Sequence, residues 1–252
     1  MRNIFFLLLS FITIGITQAQ TQDTLYVWKA GQLVIKQSIK PIDMDSITFK
    51  RPVAAIPNVT IGTQVWTTKN LDVTTYRDGT PIPQVTDATA WAGLTTGAWC
   101  YYANSTANGT TYGKLYNWYA VAGIHDNDPN TPNKVLAPTG WHVPSDTEWT
   151  TLTDFLGGVG VAGGKMKATG TTLWKTPNTG ATNSSGFTGL PGGYRPSDGS
   201  FANIGNNGSW WSSSVGSTSN ASWHRNLDYS FGGAYSMSHN NKIGFSVRCL
   251  RD

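Results

Sequence analysis

The chain has 252 residues, of which 39% are hydrophobic and 13% charged, and 18 lysines and arginines against 14 aspartates and glutamates leave a formal net charge of +4. With no basic run to follow a phosphate backbone, that excess gives little reason to expect a nucleic acid partner. Gly, Thr, Ser and Asn are plentiful and Glu148 is the only glutamate, so helix formers are scarce and a domain of strands and loops with few helices is expected.

Residues 1–19 read as a signal peptide. Arg2 supplies the positive start, Ile4 to Ile16 is an apolar run, and Thr17-Gln18-Ala19 puts small residues at the −3 and −1 positions of a cleavage site. The run falls short of the roughly 20 residues of a membrane span, so the expectation is an exported chain, secreted or at the cell surface, with no transmembrane segment. Residues 20–49 alternate apolar and polar in short runs, Leu25-Tyr26-Val27-Trp28, Leu33-Val34-Ile35 and Ser46-Ile47-Thr48-Phe49, the pattern of a small β-meander. Two prolines mark residues 50–57 as a linker, and the main domain runs over 58–252.

Two helices are predicted in that domain. One starts at Ser145, an N-cap followed three residues later by Glu148 in capping-box spacing, places Trp149, Leu152, Phe155 and Leu156 on one face, and stops at Gly157-Gly158. The other covers Lys114 to Ala122, with Leu115, Trp118, Tyr119 and Ala122 at helical spacing, although an aromatic strand fits the same residues. Beyond Gly186 the pattern is short strands separated by Gly, Asn and Ser: Trp210-Trp211, Trp223 to Leu227, Ala234 to Met237 and Gly244 to Cys249. The two cysteines, Cys100 and Cys249, pair by default in an exported chain. Such a disulfide closes nearly the whole domain, worth about 5 kcal/mol on the chain-entropy model.

Ordered motifs carry a resemblance. Ile61-Gly62-Thr63-Gln64-Val65-Trp66, Asn70-Leu71, Trp99-Cys100-Tyr101-Tyr102, Tyr112 to Val121, Gly140-Trp141-His142-Val143-Pro144-Ser145 with Glu148-Trp149, Gly189 to Arg195, Trp210-Trp211-Ser212-Ser213 and Gly244-Phe245-Ser246-Val247-Arg248-Cys249 together resemble the Fibrobacter succinogenes major paralogous domain family. The Pro-x-x-x-Glu-Trp helix start and the Gly-Phe-x-x-Arg ending are similar, more distantly, to the formylglycine-generating, sulfatase-modifying branch of the C-type-lectin fold. The resemblance implies an α+β, C-type-lectin-like domain, strand- and loop-rich with about two helices, preceded by the meander. It also sets Cys100 and Cys249 where a fold-closing bridge is expected, which leaves no cysteine pair for the oxidase chemistry of that branch.

No HExxH, GxSxG or close histidine pair organises His125, His142, His224 and His239, and Glu148 reads as a helix cap rather than a catalytic acid. His142 beside Trp141 belongs to the core on this reading, and His224 and His239 lie on loops. Asp126, Asp128 and Asn130 place oxygen ligands at alternate positions, the sort of cluster that Ca²⁺ prefers, but without the glycine and glutamate of an EF-hand; an ordinary polar turn is the competing reading, and no other cofactor is expected. Eleven tryptophans exceed what the core needs, with Trp91, Trp174 and Trp223 in the less patterned stretches. Trp223, His224, Arg225, Asn226, Asp228, Tyr229 and Tyr235 mix aromatic anchors with adaptable polar groups, as recognition surfaces do. The expectation is a non-catalytic module binding a glycan or an extracellular protein through loops between Gly199 and Asn240. The alternative is an extracellular enzyme acting on cell-surface carbohydrate or peptide with non-standard catalytic residues.

Overall fold

The computed structural model describes two strands near the N-terminus and residues 55–252, and the chain divides into two units, Met1–Ala54 and Ala55–Asp252. In the first unit β1 (Asp23–Lys29) and β2 (Gln32–Ile39) form an antiparallel hairpin whose register shifts between Val27 and Trp28. The signal peptide (1–19), the third run of the meander (46–49) and residues 50–54 of the linker lie outside the described residues.

The second unit is α+β. A sheet of four strands runs in the order β3 (Asn58–Ile61), β4 (Gln64–Thr67), β13 (Leu250–Arg251), β7 (Trp141–His142). A sheet of five runs in the order β12 (Ala234–Asn240), β11 (Ala221–Asp228), β10 (Asn207–Val215), β8 (Gly192–Tyr194), β9 (Ala202–Ile204). The short strands β5 (Trp99–Cys100) and β6 (Leu115–Tyr116) pair with each other. In β10 and β11 both faces are covered: Trp210 lies opposite Arg225 on one face and Trp211 opposite His224 on the other, and all four are buried.

Five α-helices occur among the described residues, where the sequence predicts about two: α1 (Ala88–Ala92), α2 (Thr106–Tyr112), α3 (Trp118–Ala122), α4 (Asp146–Phe155) and α5 (Val159–Met166). Each is shorter than the roughly 12 residues that hold a helix in water unaided, so caps and packing decide their existence. In α4 the predicted capping box forms, Ser145 Oγ accepting from the Glu148 N–H and Glu148 Oε2 accepting from the Ser145 N–H at 2.7 Å. Asn117 Oδ1 caps α3 by accepting from the Ala120 N–H at 3.0 Å, which turns Leu115–Tyr116 into a strand and confines the helix to Trp118–Ala122. Helix α5 escapes a propensity reading because three of its eight residues are glycine. Packing requires two of them: a Cβ on Gly163 would lie 1.9 Å from the Gly233 carbonyl oxygen, and one on Gly164 2.3 Å from that of Gly180.

The last segment, Gly244 to Cys249, is not a regular strand. Its backbone bridges in turn to Arg195, Tyr116 and Trp210, which belong to different elements, and Phe245, Val247 and Cys249 face one core cluster while Ser246 and Arg248 are equally buried. The expected bridge between Cys100 and Cys249 is corrected here: both are free, buried thiols. Cys100 sits in a small cluster with Trp91, Ala98 and Leu115, whereas Cys249 packs in a larger one with Tyr116 and Val247 and donates its N–H to Thr67 Oγ1. Burial pushes the thiols up to about 11 and about 12, Arg195 opposing it at Cys100 and Arg248 at Cys249, so neither is a reactive thiolate.

What ties the front of the domain to its end is a set of buried cations. Arg248 donates from Nε to Asn70 Oδ1 (2.7 Å), from Nη1 to the carbonyls of Thr67 (2.6 Å) and Phe187 (2.8 Å), and from Nη2 to that of Thr188 (3.0 Å). Arg195 donates to the carbonyls of Gly199, Val85 and Thr86 and stacks over Trp91. Lys167 Nζ donates to those of Thr179, Asp228 and Phe231. Each gathers carbonyls from loops and strand ends distant in sequence, and supplies donors to them.

Candidate functional site

Strand β12 is the outer strand of the five-stranded sheet. Its pairing with β11 runs without interruption from Ala221 opposite Asn240 to Leu227 opposite Ala234. Directly opposed residues share a face, so Asn226 and Tyr235 lie together, with His224 and Met237 beside them. Tyr235 and Met237 are each 44% exposed and Phe231, in the β11–β12 turn, is 58% exposed. Strand β12 reads AYSMSHN, with no lysine, proline or carboxylate to discourage contact along its edge.

The predicted recognition residues divide. Asn226, Tyr235 and the turn residues Asp228 and Tyr229 come together at one end of the β11–β12 hairpin. Asp228 is spent on the turn itself: its Oδ1 accepts from the Ser230 N–H and hydroxyl, and its Oδ2 from Asn207 Nδ2. Tyr229 is half-buried under Lys175, whose Nζ lies 5.0 Å from the ring centroid. Trp223 is three residues from Asn226 on β11 and so lies on the opposite face. His224 and Arg225 do not reach the surface. Arg225 pairs with Asp146 at 3.2 Å and donates to Thr150 Oγ1 at 2.8 Å, pinning α4 to the sheet. His224 stacks on Phe245 with centroids 4.4 Å apart, edge-on to His239 at 4.8 Å. Burial, reinforced by His239, pushes His224 down to about 3 and keeps it neutral. Trp223 to Leu227 and Ala234 to Met237 are strands, as their pattern predicts, so His224 and His239 lie on strands and not on loops, and the residues of β11 are largely committed to the interior.

Nine of the tryptophans are core residues. Trp91 and Trp174, singled out for their unpatterned surroundings, are buried at 0% and 1% exposure, and Trp223 alone of those three is half-buried. Their indole N–H groups are tied to backbone carbonyls, that of Trp91 to Lys242 at 2.8 Å and that of Trp174 to Gly189 at 3.0 Å.

In the segment from His125 to Asn130 the carboxylates fold the loop. Asp126 Oδ1 accepts from the Asp128 N–H, and Asp128 Oδ1 accepts from both the N–H and the side-chain amide of Asn130. These are Asx-type turns. Among the described residues no group of three or more His, Cys, Asp or Glu is placed to hold a metal ion.

His142 is a correction to the core reading. It is 37% exposed, with Nδ1 at 2.8 Å from Asp252 Oδ1 and Nε2 at 3.0 Å from Glu148 Oε1. Burial lowers its pKa, but the hydrogen bonds to Asp252 and Glu148 outweigh it and hold the ring above its ordinary value. Both nitrogens are engaged and the cation is favoured, which suits a pin between β7, α4 and the chain end better than a general base.

A cleft of about 450 Å³ was missed by the sequence reading. It lies between the loop after β4, the end of α2 and the loop before β8, with Lys69, Asn70, Thr111 and Arg248 among its lining. The signal was present, since Asn70 and Arg248 both sit in motifs that carry the family resemblance, but nothing local brings them together.

No helix of the described residues is long and apolar enough to cross a membrane. Neither the curated proteins nor the solved structures contain a match to the chain. The Fibrobacter succinogenes major domain matches residues 59–251, all but the edges of the second unit, and the chain belongs to that family.

Proposed function

We propose that the chain is an exported, non-catalytic recognition module with a C-type-lectin-like domain, which binds a glycan or an extracellular protein across the outer face of the β11–β12 hairpin. The observation that carries this reading is the exposure of Tyr235, Met237 and Phe231 around Asn226, in a domain that buries nine tryptophans, Trp66, Trp91, Trp99, Trp118, Trp141, Trp149, Trp174, Trp210 and Trp211. Aromatic and methionine side chains beside a primary amide offer stacking area with few rotamers to freeze.

The test is a glycan array and a pull-down from intact cell surfaces, both with the full chain and with the double variant Tyr235→Ala, Met237→Ala. The variant should keep its circular dichroism spectrum and lose at least about tenfold in affinity, as removal of a central aromatic anchor does. Binding that survives both substitutions unchanged sinks the assignment of this face.

A further inference from the structure

The cleft beside Arg248 is chemically unlike the hairpin face and shares no residue with it. Arg248 is 1% exposed, yet among the described residues it has no carboxylate partner. Arg225 and Lys114 differ in having Asp146 and Asp72, whereas Arg195 and Lys167 are likewise held by carbonyls but do not line this cleft. A guanidinium carries five N–H donors. Nε uses one, Nη1 both of its own, and Nη2 one, on Thr188. One Nη2 hydrogen therefore remains without an acceptor, on a side chain that lines the cleft.

The charge of the surroundings has the same sign. Lys69 is exposed at the rim and forms no ion pair among the described residues, while Asp72, the one carboxylate of the lining, is bonded to Lys114 Nζ. The cleft thus holds two cations, Arg248 and Lys69, not offset by its own carboxylate. Around them stand Thr68, Thr110, Thr111 and Thr188; the hydroxyls of Thr110, Thr111 and Thr188 already donate to the carbonyls of Thr106, Ala107 and Gly186, which leaves them as acceptors for a ligand. A buried guanidinium held only by neutral acceptors gains most from an oxyanion, and threonine hydroxyls suit the hydroxyl groups of a sugar.

We infer that this cleft is a binding site for an acidic saccharide, its carboxylate or sulfate directed at the unfilled Nη2 hydrogen of Arg248 and at Lys69, its ring hydroxyls toward the threonines. The size fits one or two sugar rings, within the range of small-ligand pockets.

The experiment uses the full chain and four probes: glucuronate, glucose 6-sulfate, neutral glucose and inorganic sulfate. Thermal unfolding and titration calorimetry are followed at low and at high NaCl. The two acidic sugars should raise the unfolding midpoint and glucose should not, because only a ligand bound to the native state stabilises it. The effect should shrink with salt. Comparison of the two acidic sugars reads whether carboxylate or sulfate is preferred. Arg248 variants risk unfolding, so the deciding variant is Lys69→Glu, an exposed charge reversal, which should weaken the acidic sugars by about tenfold or more. Midpoints unmoved by millimolar acidic sugar, an equal response to glucose, or a Lys69→Glu protein that binds as before would each overturn the site. Inorganic sulfate acting as strongly as glucose 6-sulfate would reduce it to an adventitious ion only and overturn the saccharide. Tyr235→Ala, Met237→Ala should leave this response untouched, which separates it from the hairpin face.

Discussion

Around Arg248 the backbone is irregular and side chains hold it, whereas along β11 and β12 the backbone holds itself and side chains are released. Arg248, Arg195 and Lys167 each bind three or four acceptors, drawn from segments as far apart as Thr67 and Phe187. In the hairpin, seven consecutive residue pairs form the ladder between β11 and β12, and Tyr235 and Met237 remain exposed on the outer strand. The difference teaches where to look for recognition in a helix-poor domain. The irregular region spends its long cations mainly on backbone carbonyls and leaves a ligand only what remains of them, whereas the regular edge leaves whole side chains, Tyr235 and Met237, exposed.

The most severe way to break that comparison is Arg248→Met. It takes the donor from the carbonyls of Thr67, Phe187 and Thr188, and leaves the amide oxygen of Asn70 with the Trp210 indole N–H alone. Urea unfolding should show a loss of about 4 kcal/mol, or no folded protein. A loss under about 1 kcal/mol would mean that water replaces the guanidinium and that the cation does not hold the frame.

Acid probes the seam between the two regions, where His224 lies under the hairpin against Phe245. Its folded pKa, about 3, is below the ordinary value of an unfolded histidine, roughly 6.5. The unfolded chain therefore binds the proton first. Stability from this residue is complete above pH 6.5 and falls as the pH drops toward 3, by about 3 kcal/mol at pH 4. Urea midpoints measured from pH 7 to 4 should fall steeply in the native protein and less in His224→Phe. Parallel curves would remove His224 as the cause.

His142 should show the opposite sign and a smaller effect. Held above its ordinary value by Asp252 and Glu148 against the opposing effect of burial, it stabilises below pH 6.5 and loses that contribution as the pH rises through its folded value. Because the group is 37% exposed and screened, His142→Ala should cost only about 0.5 kcal/mol at pH 5.5 and nothing at pH 9. An undiminished difference at pH 9 would point to packing instead.

Smallest of all is the response to a reductant. Dithiothreitol should leave the unfolding midpoint of the protein where it is, and a thiol reagent should label both cysteines only after unfolding. A midpoint lowered by reductant would restore a covalent tie between Cys100 and Cys249 and shift the burden away from the buried cations.

Much of the local structure is legible in the sequence. The Ser145–Glu148 capping box formed as its spacing requires, and the strands near Trp210, Trp223 and Ala234 lie where turn residues separate alternating runs. Helix α5 was not legible, because its glycines score against a helix in isolation and are needed only where Gly163 and Gly164 meet Gly233 and Gly180. The candidate site was half legible. Tyr235 is exposed opposite a half-buried Asn226, but His224 and Arg225 were drawn into the interior by a sheet covered on both sides, and composition cannot distinguish a tryptophan that anchors a ligand from one that fills a core.

Composition, caps, strand alternation and family membership were settled by the sequence itself, since each depends on residues a few positions apart or on motifs read in order. Only the tertiary structure decided which charges are buried and what they hold: Arg248 reaches the carbonyl of Thr67 across 181 positions. The physical reason is range. A cap closes within one turn of chain, but a buried guanidinium selects whatever carbonyls the packing of distant loops brings to it.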